Sequence, residues 1–128
     1  MEENKTIPTQ IGTIISADLT INQADDVRDF YKQVIGWDHM DINMGDYNDY
    51  LMQTKDGVPV AGVCHQAGPN AGLPTVWMVY FQVEDLGKSM KMCKELGGKV
   101  LREPAEMTSS NFTVIEYPAG AICAISQI

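Results

Sequence analysis

A few side chains in this 128-residue chain have chemistry that a binding or catalytic site could use. Asp18 lies on the polar side of a strand-like run, where a carboxylate could hold a cationic or hydroxylated ligand or act as a base. Tyr80 lies in a second such run and could donate a hydrogen bond to a ligand oxygen. Glu116 precedes a turn and could reach the rim of a cleft. Each has a structural alternative: a hydrated carboxylate at a sheet rim, a packed tyrosine with its hydroxyl satisfied, and a surface glutamate.

The histidines and cysteines give weaker signals. His39 and His65 are not clustered as metal ligands usually are, so we interpret both as surface histidines beside acidic residues, with an unexpected metal as the open alternative. The three cysteines form no CxxC pair, and their odd number indicates reduced thiols. We expect Cys64, Cys93 and Cys123 to act as small apolar residues.

The overall charge excludes some functions. The net charge is −8 and the pI is about 4.5, which argue against a sequence-independent nucleic-acid interface and against binding to anionic membranes. No run is apolar enough to span a membrane, and the first ten residues have no apolar signal core. We therefore expect a cytoplasmic protein, folded as a single domain over residues 1–128.

The elements that must position these side chains repeat along the chain. Residues 22–37 (NQADDVRDFYKQVIGW) and 84–99 (EDLGKSMKMCKELGGK) largely coincide in their apolar positions after a shift of 62 residues. Each follows a strand-like run and ends at a glycine, which indicates a duplicated unit. Asn22 is the expected N-cap of the first helix.

Both copies follow the order strand, helix, strand, strand, strand. The predicted first module covers about 11–65, a linker follows at 66–75, and the second module covers about 76–128. The predicted elements of the first module are strands at 11–21, 37–43, 47–54 and 58–65 with a helix at 24–35. Those of the second are strands at 76–83, 99–102, 112–117 and 121–126 with a helix at 85–97.

This βαβββ repeat resembles the vicinal oxygen chelate superfamily, the glyoxalase, bleomycin-resistance and extradiol-dioxygenase group. The local matches are the run from Asp29 to Trp37, the Val83–Leu86 junction, the Gly97-Gly98 pair and a weakened turn at 117–120 in which Tyr replaces Asp. The resemblance implies an α+β fold with two tandem modules, curved mixed sheets around a concave cleft, and helices on the outer face. It is closest to small, single-domain, glyoxalase-related proteins.

The resemblance also implies where a metal would bind. Family members that use a metal take one ligand from the first strand and one from the last strand of each module. The matching positions here are Ser16, Gly62, Met78 and Ala124, which do not form a ligand set for a transition metal. We therefore expect no metal and predict no cofactor.

The alternating pattern predicts which faces are covered. The rows Ile15, Ala17, Leu19, Ile21 and Trp77, Val79, Phe81, Val83 should lie beneath the helices. The helix residues expected to cover them are Ala24, Val27, Phe30, Tyr31 and Val34 in the first module and Leu86, Met90, Met92, Cys93 and Leu96 in the second. The opposite face should form the ligand cleft with Ser16, Asp18, Gly62, Cys64, Met78, Tyr80 and Ala124, and with Glu116 at its rim.

Three hypotheses remain open from the sequence. The first is a metal-free small-molecule binder of the bleomycin-resistance type, for which the acidic chain favours a cationic ligand. The second is an enzyme with lyase-, isomerase- or dioxygenase-like chemistry, using Asp18 or Tyr80 as acid or base or an atypical metal site. The third is a regulatory or interaction module. The resemblance also implies a homodimer, with modules paired within one chain or exchanged between chains.

Overall fold

The computed structural model describes residues 10–102 and 111–127. It confirms an α+β fold in which each module has the order strand, helix, strand, strand, strand. The elements of the first module are β1 (Ile14–Ile21), α1 (Ala24–Ile35), β2 (Asp38–Asn43), β3 (Asn48–Gln53) and β4 (Pro59–His65). Those of the second are β5 (Trp77–Gln82), α2 (Leu86–Glu95), β6 (Lys99–Arg102), β7 (Asn111–Glu116) and β8 (Ile122–Gln127). The termini of the domain predicted over 1–128 lie outside the described residues.

The described chain divides into two compact units. The first unit is Ser16–Met78, and the second unit joins the described residues before position 16 to those from Val79 onward. Within the first unit the strand order is β2-β3-β4-β1, with β1 parallel to β4 and the other pairs antiparallel. The second module repeats this arrangement as β5-β8-β7-β6, with β5 parallel to β8. The repeat seen in the sequence is thus a repeat of strand pairing.

Helix α1 begins and ends at residues in the left-handed region. Gln23 occupies the N-cap position with φ 60° and makes no side-chain cap, so the prediction of Asn22 as N-cap is wrong. At the other end Gly36 has φ 90°, and its N–H donates to the carbonyls of Tyr31 and Lys32. Glycine adopts this conformation without the Cβ clash of other residues, which is why the helix ends there.

The core of the first unit lies between α1 and the inner strands. Ala24, Tyr50, Met52 and Val63 are buried together, and Ile21, Val27, Tyr31 and Trp37 pack against them. Burying a Val or Met side chain contributes roughly 1.5–3 kcal/mol, so Met52 and Val63, both fully buried, are major contributors.

Part of the predicted helix packing is wrong. Phe30 and Val34 of α1 are 57% and 62% exposed. Met92 of α2 is 48% exposed, and Leu96, which directly follows α2, is 72% exposed. The sheet-facing residues of α1 recur at positions 24, 27 and 31, which is one helical face. Phe30 and Val34 lie beside that face. The prediction that they are buried is wrong because it uses only their apolar character and not their position around the helix.

Helix α2 is fixed at its N-terminus by two side chains. Asp85 accepts a hydrogen bond from the Lys88 N–H at 3.0 Å, and the Gln127 amide oxygen of β8 accepts from the Leu86 N–H at 2.7 Å. These bonds satisfy helix N–H groups that have no partner within the helix. Among the described residues, neither helix is long and apolar enough to cross a membrane.

Candidate functional site

The Asp18 carboxylate lies directly over Gly62. The two residues are partners in the parallel pairing of β1 with β4, and a Cβ added at Gly62 would lie 2.5 Å from Asp18 Oδ1. A larger residue at position 62 would therefore force Asp18 to move. Because Gly62 has no side chain, the Asp18 carboxylate can occupy this space.

Cys64 lies two residues further along β4, on the same face. Burial, and then the nearby charges of Asp18 and Asp49, together raise the pKa of its thiol to about 12. Asp49 of β3 is only 3% exposed, and its Oδ1 accepts a hydrogen bond from the His65 N–H at 2.8 Å. Cys64 is a protonated thiol at neutral pH, which makes it a poor nucleophile. The face around Asp18, Cys64 and Asp49, which we call the acidic face, carries two carboxylates.

His65 belongs to a cluster that the sequence did not reveal. Its Nε2 lies 3.4 Å from Asp25 Oδ1, and its Nδ1 lies 3.5 Å from Asp49 Oδ1 without forming a hydrogen bond. The Tyr50 hydroxyl donates to Asp25, and the Arg28 guanidinium lies 4.7 Å from the centre of the Tyr50 ring. The interpretation of His65 as a surface histidine beside acids missed that these acids come from α1 and β3. The cluster ties α1 to β3 and β4.

The hydroxyl of Tyr50 titrates above its ordinary range. Burial and then the hydrogen bond to Asp25 raise its pKa to about 12. At neutral pH Tyr50 is therefore a neutral hydroxyl that donates its hydrogen bond to Asp25. His39 contacts the same ring edge-on, with centroids 5.4 Å apart, and its Nε2 lies 3.4 Å from Asp41 Oδ1. The sequence had placed an acid beside His39, and Asp41 is that neighbour.

Comparisons with known proteins point to one family. No family model matches the chain. A Mycobacterium tuberculosis protein named "Putative glyoxylase CFP32" is 31% identical over 121 residues, covering 94% of this chain and 46% of that protein. The anthracycline biosynthesis protein DnrV of Streptomyces peucetius is 30% identical over 110 residues, covering 76% of this chain and 40% of that protein. The chain thus spans less than half the length of both relatives.

The solved structures show the same fold. A Streptomyces coelicolor methylmalonyl-CoA epimerase variant, in complex with 2-nitronate-propionyl-CoA, matches with a TM-score of 0.57 and 14% identity, covering 92% of this chain and 98% of that one. The chain belongs to the vicinal oxygen chelate superfamily. The resemblance inferred from the repeat and its local motifs is thereby confirmed.

The resemblance matches the superfamily's metal-ligand positions to Ser16, Gly62, Met78 and Ala124. Gly62 and Ala124 offer no side-chain donor, and Met78, which is 1% exposed, offers only a buried thioether. Ser16 is half-buried and would be a single weak oxygen ligand. Within residues 10–102 and 111–127, no three His, Cys, Asp or Glu side chains are grouped so that they could hold a metal ion. These residues do not fit the superfamily's metal, because such a site needs several imidazole, carboxylate or amide donors.

The remaining predicted site residues lie in the second module. Tyr80 of β5 is half-buried and pairs with Ala124 of β8, and its ring lies 5.5 Å from that of Phe112. The pairs Asp18–Gly62 and Tyr80–Ala124 are equivalent under the 62-residue repeat. Glu116 is half-buried at the end of β7, where it pairs with Ile122.

Proposed function

We propose that this chain is a small-molecule-binding protein of the glyoxalase and bleomycin-resistance type that works without the superfamily's metal. The observation that carries the proposal is the Asp18 carboxylate over Gly62, at a position where the resemblance implies a metal ligand. A small organic ligand is supported by the coenzyme A derivative in the epimerase complex and by the name of DnrV as an anthracycline biosynthesis protein.

The acidic face favours a ligand with a cationic group. Asp18 and Asp49 both disfavour the thiolate of Cys64, so the electrostatic potential around this thiol is negative. The net charge of −8 adds a weaker, longer-range attraction for cations. A ligand cation would gain most where a carboxylate is partly shielded from water, as the half-buried Asp18 is.

Metal analysis and a thermal-shift screen test this proposal together. We expect purified, tag-free protein to contain no stoichiometric transition metal, and we expect at least one cationic compound to raise the midpoint temperature saturably. Asp18→Asn should weaken that shift while the free protein stays folded. One equivalent of zinc, iron, nickel or manganese would refute the metal-free proposal.

An enzyme acting at the same face is the second candidate. Asp18 favours it, because its carboxylate lies beside the half-buried Cys64 and could act as a base towards a bound ligand. Tyr80 is the other acid or base to test. Turnover that Asp18→Asn or Tyr80→Phe abolishes, with circular dichroism unchanged, would favour the enzyme over the binder. A saturable ligand that both variants leave unconverted, like the wild type, would favour the binder.

We also propose that the protein is a homodimer in the cytoplasm. All three cysteines are free, as expected for a protein in a reducing compartment. Exposed apolar side chains on both helices, among them Phe30 and Met92, are the support for an interface between two copies.

A further inference from the structure

A cavity of about 290 Å³ lies in the first unit, between α1 and the strands. Ala17 of β1 and Ala61 of β4 lie on its floor. They directly precede Asp18 and Gly62, which pair across the two strands, so the alanines are neighbours on the face opposite the Asp18 carboxylate. Two small side chains in adjacent positions leave a space that valine or leucine would fill.

Three aromatic rings form the walls of this cavity. Tyr31 lies 5.7 Å from Trp37 and 5.5 Å from Trp77, and the two tryptophan rings lie 6.2 Å apart at 77°. The Trp77 Nε1–H donates to the Tyr31 hydroxyl at 2.9 Å, which holds these two rings in place. Perpendicular rings let one planar guest stack on one face while it meets the edge of the other.

The lining determines the kind of guest. Val60 and Ile35 complete it, and none of the described residues that line the cavity is charged. An anion would lose its hydration here without gaining a partner, and a compact cation would gain only ring faces in exchange for its water, so both are disfavoured against an uncharged guest. Of the lining residues that the structure describes, Tyr31 alone has a side-chain oxygen, and its hydroxyl could hydrogen-bond a heteroatom of the guest. Trp77, Val60 and Ile35 are 36%, 37% and 52% exposed, so a small molecule can reach the cavity from solvent.

We propose that this aromatic cavity, lined by Tyr31, Trp37, Trp77 and the two floor alanines, binds an uncharged planar aromatic molecule. It is a second site, because β1 directs Ala17 towards the cavity and Asp18 towards the acidic face. Its volume is at the lower end of small-molecule pockets, which suits a fused two- or three-ring system. The proposal does not depend on whether the acidic face binds a ligand.

The chain carries its own reporter for this site. Trp37 and Trp77 are its only tryptophans, and both line the cavity. We expect the neutral arene N-phenyl-1-naphthylamine to quench tryptophan fluorescence saturably, with one molecule per chain and a parallel rise in its own emission. Quenching that stays linear with probe concentration would overturn the proposal.

Two substitutions and a matched control locate the binding. Ala61→Val adds methyl groups to the floor and should weaken probe binding at least tenfold. Ile35→Gln makes the rim polar and should weaken it several-fold. Val34→Gln changes the neighbouring residue of α1, which is 62% exposed and does not line the cavity, and it should have no effect. If Ala61→Val does not fold, the difference in probe affinity between Ile35→Gln and Val34→Gln still tests whether the probe binds in the cavity.

The same variants distinguish a ligand from a second copy of the chain. If the cavity is covered by another copy, sedimentation will show a dimer that Ile35→Gln dissociates and Val34→Gln preserves, and the arene will not bind. That result would overturn the proposal. Asp18→Asn should leave arene binding unchanged, since it alters only the opposite face, and a loss of binding in this variant would contradict the assignment to the cavity.

Discussion

At the scale of single residues, Gly62 and Asp18 depend on each other. The carboxylate of Asp18 occupies the space that any side chain at position 62 would need. The sequence identified both positions, one as an empty ligand position and the other as a candidate base, but it did not show that they touch. Their contact depends on the register between β1 and β4, which are separated by more than 35 residues.

A double-mutant cycle measures this dependence. Gly62→Ala should lower the free energy of unfolding by about 1–2 kcal/mol, because the new methyl group displaces Asp18. In an Asp18→Ala background the same change should be neutral or slightly stabilising, since alanine restricts the unfolded chain more than glycine does. Urea denaturation gives the four values.

Gly87 provides a control for this cycle. A Cβ at Gly87 would meet only an ordinary contact at 3.6 Å, and the residue lies inside α2. Gly87→Ala should therefore stabilise the chain by up to about 1 kcal/mol, with or without Asp18. Equal effects of Gly62→Ala in both backgrounds would contradict the proposed contact.

At the scale of elements, α1 is held by its polar N-terminal turns as well as by its apolar face. Asp25 connects the helix to Tyr50 of β3 and to His65 of β4. The helix dipole favours an acidic residue in the first turn, but it does not predict these two partners. Side-chain partners on other elements cannot be read from a local pattern.

The raised pKa of Tyr50 predicts an alkaline loss of stability. The hydroxyl has its ordinary pKa near 10 in the unfolded chain and a pKa of about 12 in the folded one. Its contribution is complete below pH 10 and is lost as the pH rises towards 12, because the unfolded state releases the proton first. Urea denaturation between pH 8 and pH 12 should show this decrease.

Tyr50→Phe isolates the effect of the hydroxyl. The variant keeps the ring beneath Arg28 but removes the titrating group and the bond to Asp25. It should be less stable than the wild type at pH 8, and the difference should shrink between pH 10 and pH 12. A constant difference over this range would show that the hydroxyl does not cause the alkaline loss.

At the scale of the whole molecule, charge and exposed apolar surface act in opposite directions on association. Seventeen acidic and nine basic side chains make two copies repel each other. Phe30 and Leu96, both more than half exposed, favour association because it removes apolar surface from water. We expect the apolar contribution to be the larger of the two. Light scattering after size exclusion should then give twice the chain mass of 14.1 kDa.

Salt should shift this equilibrium towards the dimer. Raising sodium chloride from about 0.02 to 0.3 M screens the like charges and leaves the apolar contacts intact. The dimer fraction at low micromolar concentration should increase accordingly. A mass of one chain at every concentration and salt level would contradict the proposed homodimer.

The sequence predicted the fold well because the repeat is a local signal. Strand alternation, the glycine at position 36 and the second helix pattern 62 residues later each need only neighbouring residues to be recognised. The same local signals did not predict that Phe30 and Val34 are exposed, because packing sets the rotation of α1 against the strands. Local signals also did not predict the cavity. It forms because the fold brings Ala17 and Ala61 side by side near three aromatic rings.

The sequence by itself determined the duplicated βαβββ order and the superfamily. These depend on residue types and their spacing along the chain. Only the tertiary structure decided that Asp18 lies over Gly62, that His65 lies between Asp25 and Asp49, and that both tryptophans line one cavity. Such contacts join residues distant in sequence, and strand register and side-chain packing fix them, which no local pattern encodes.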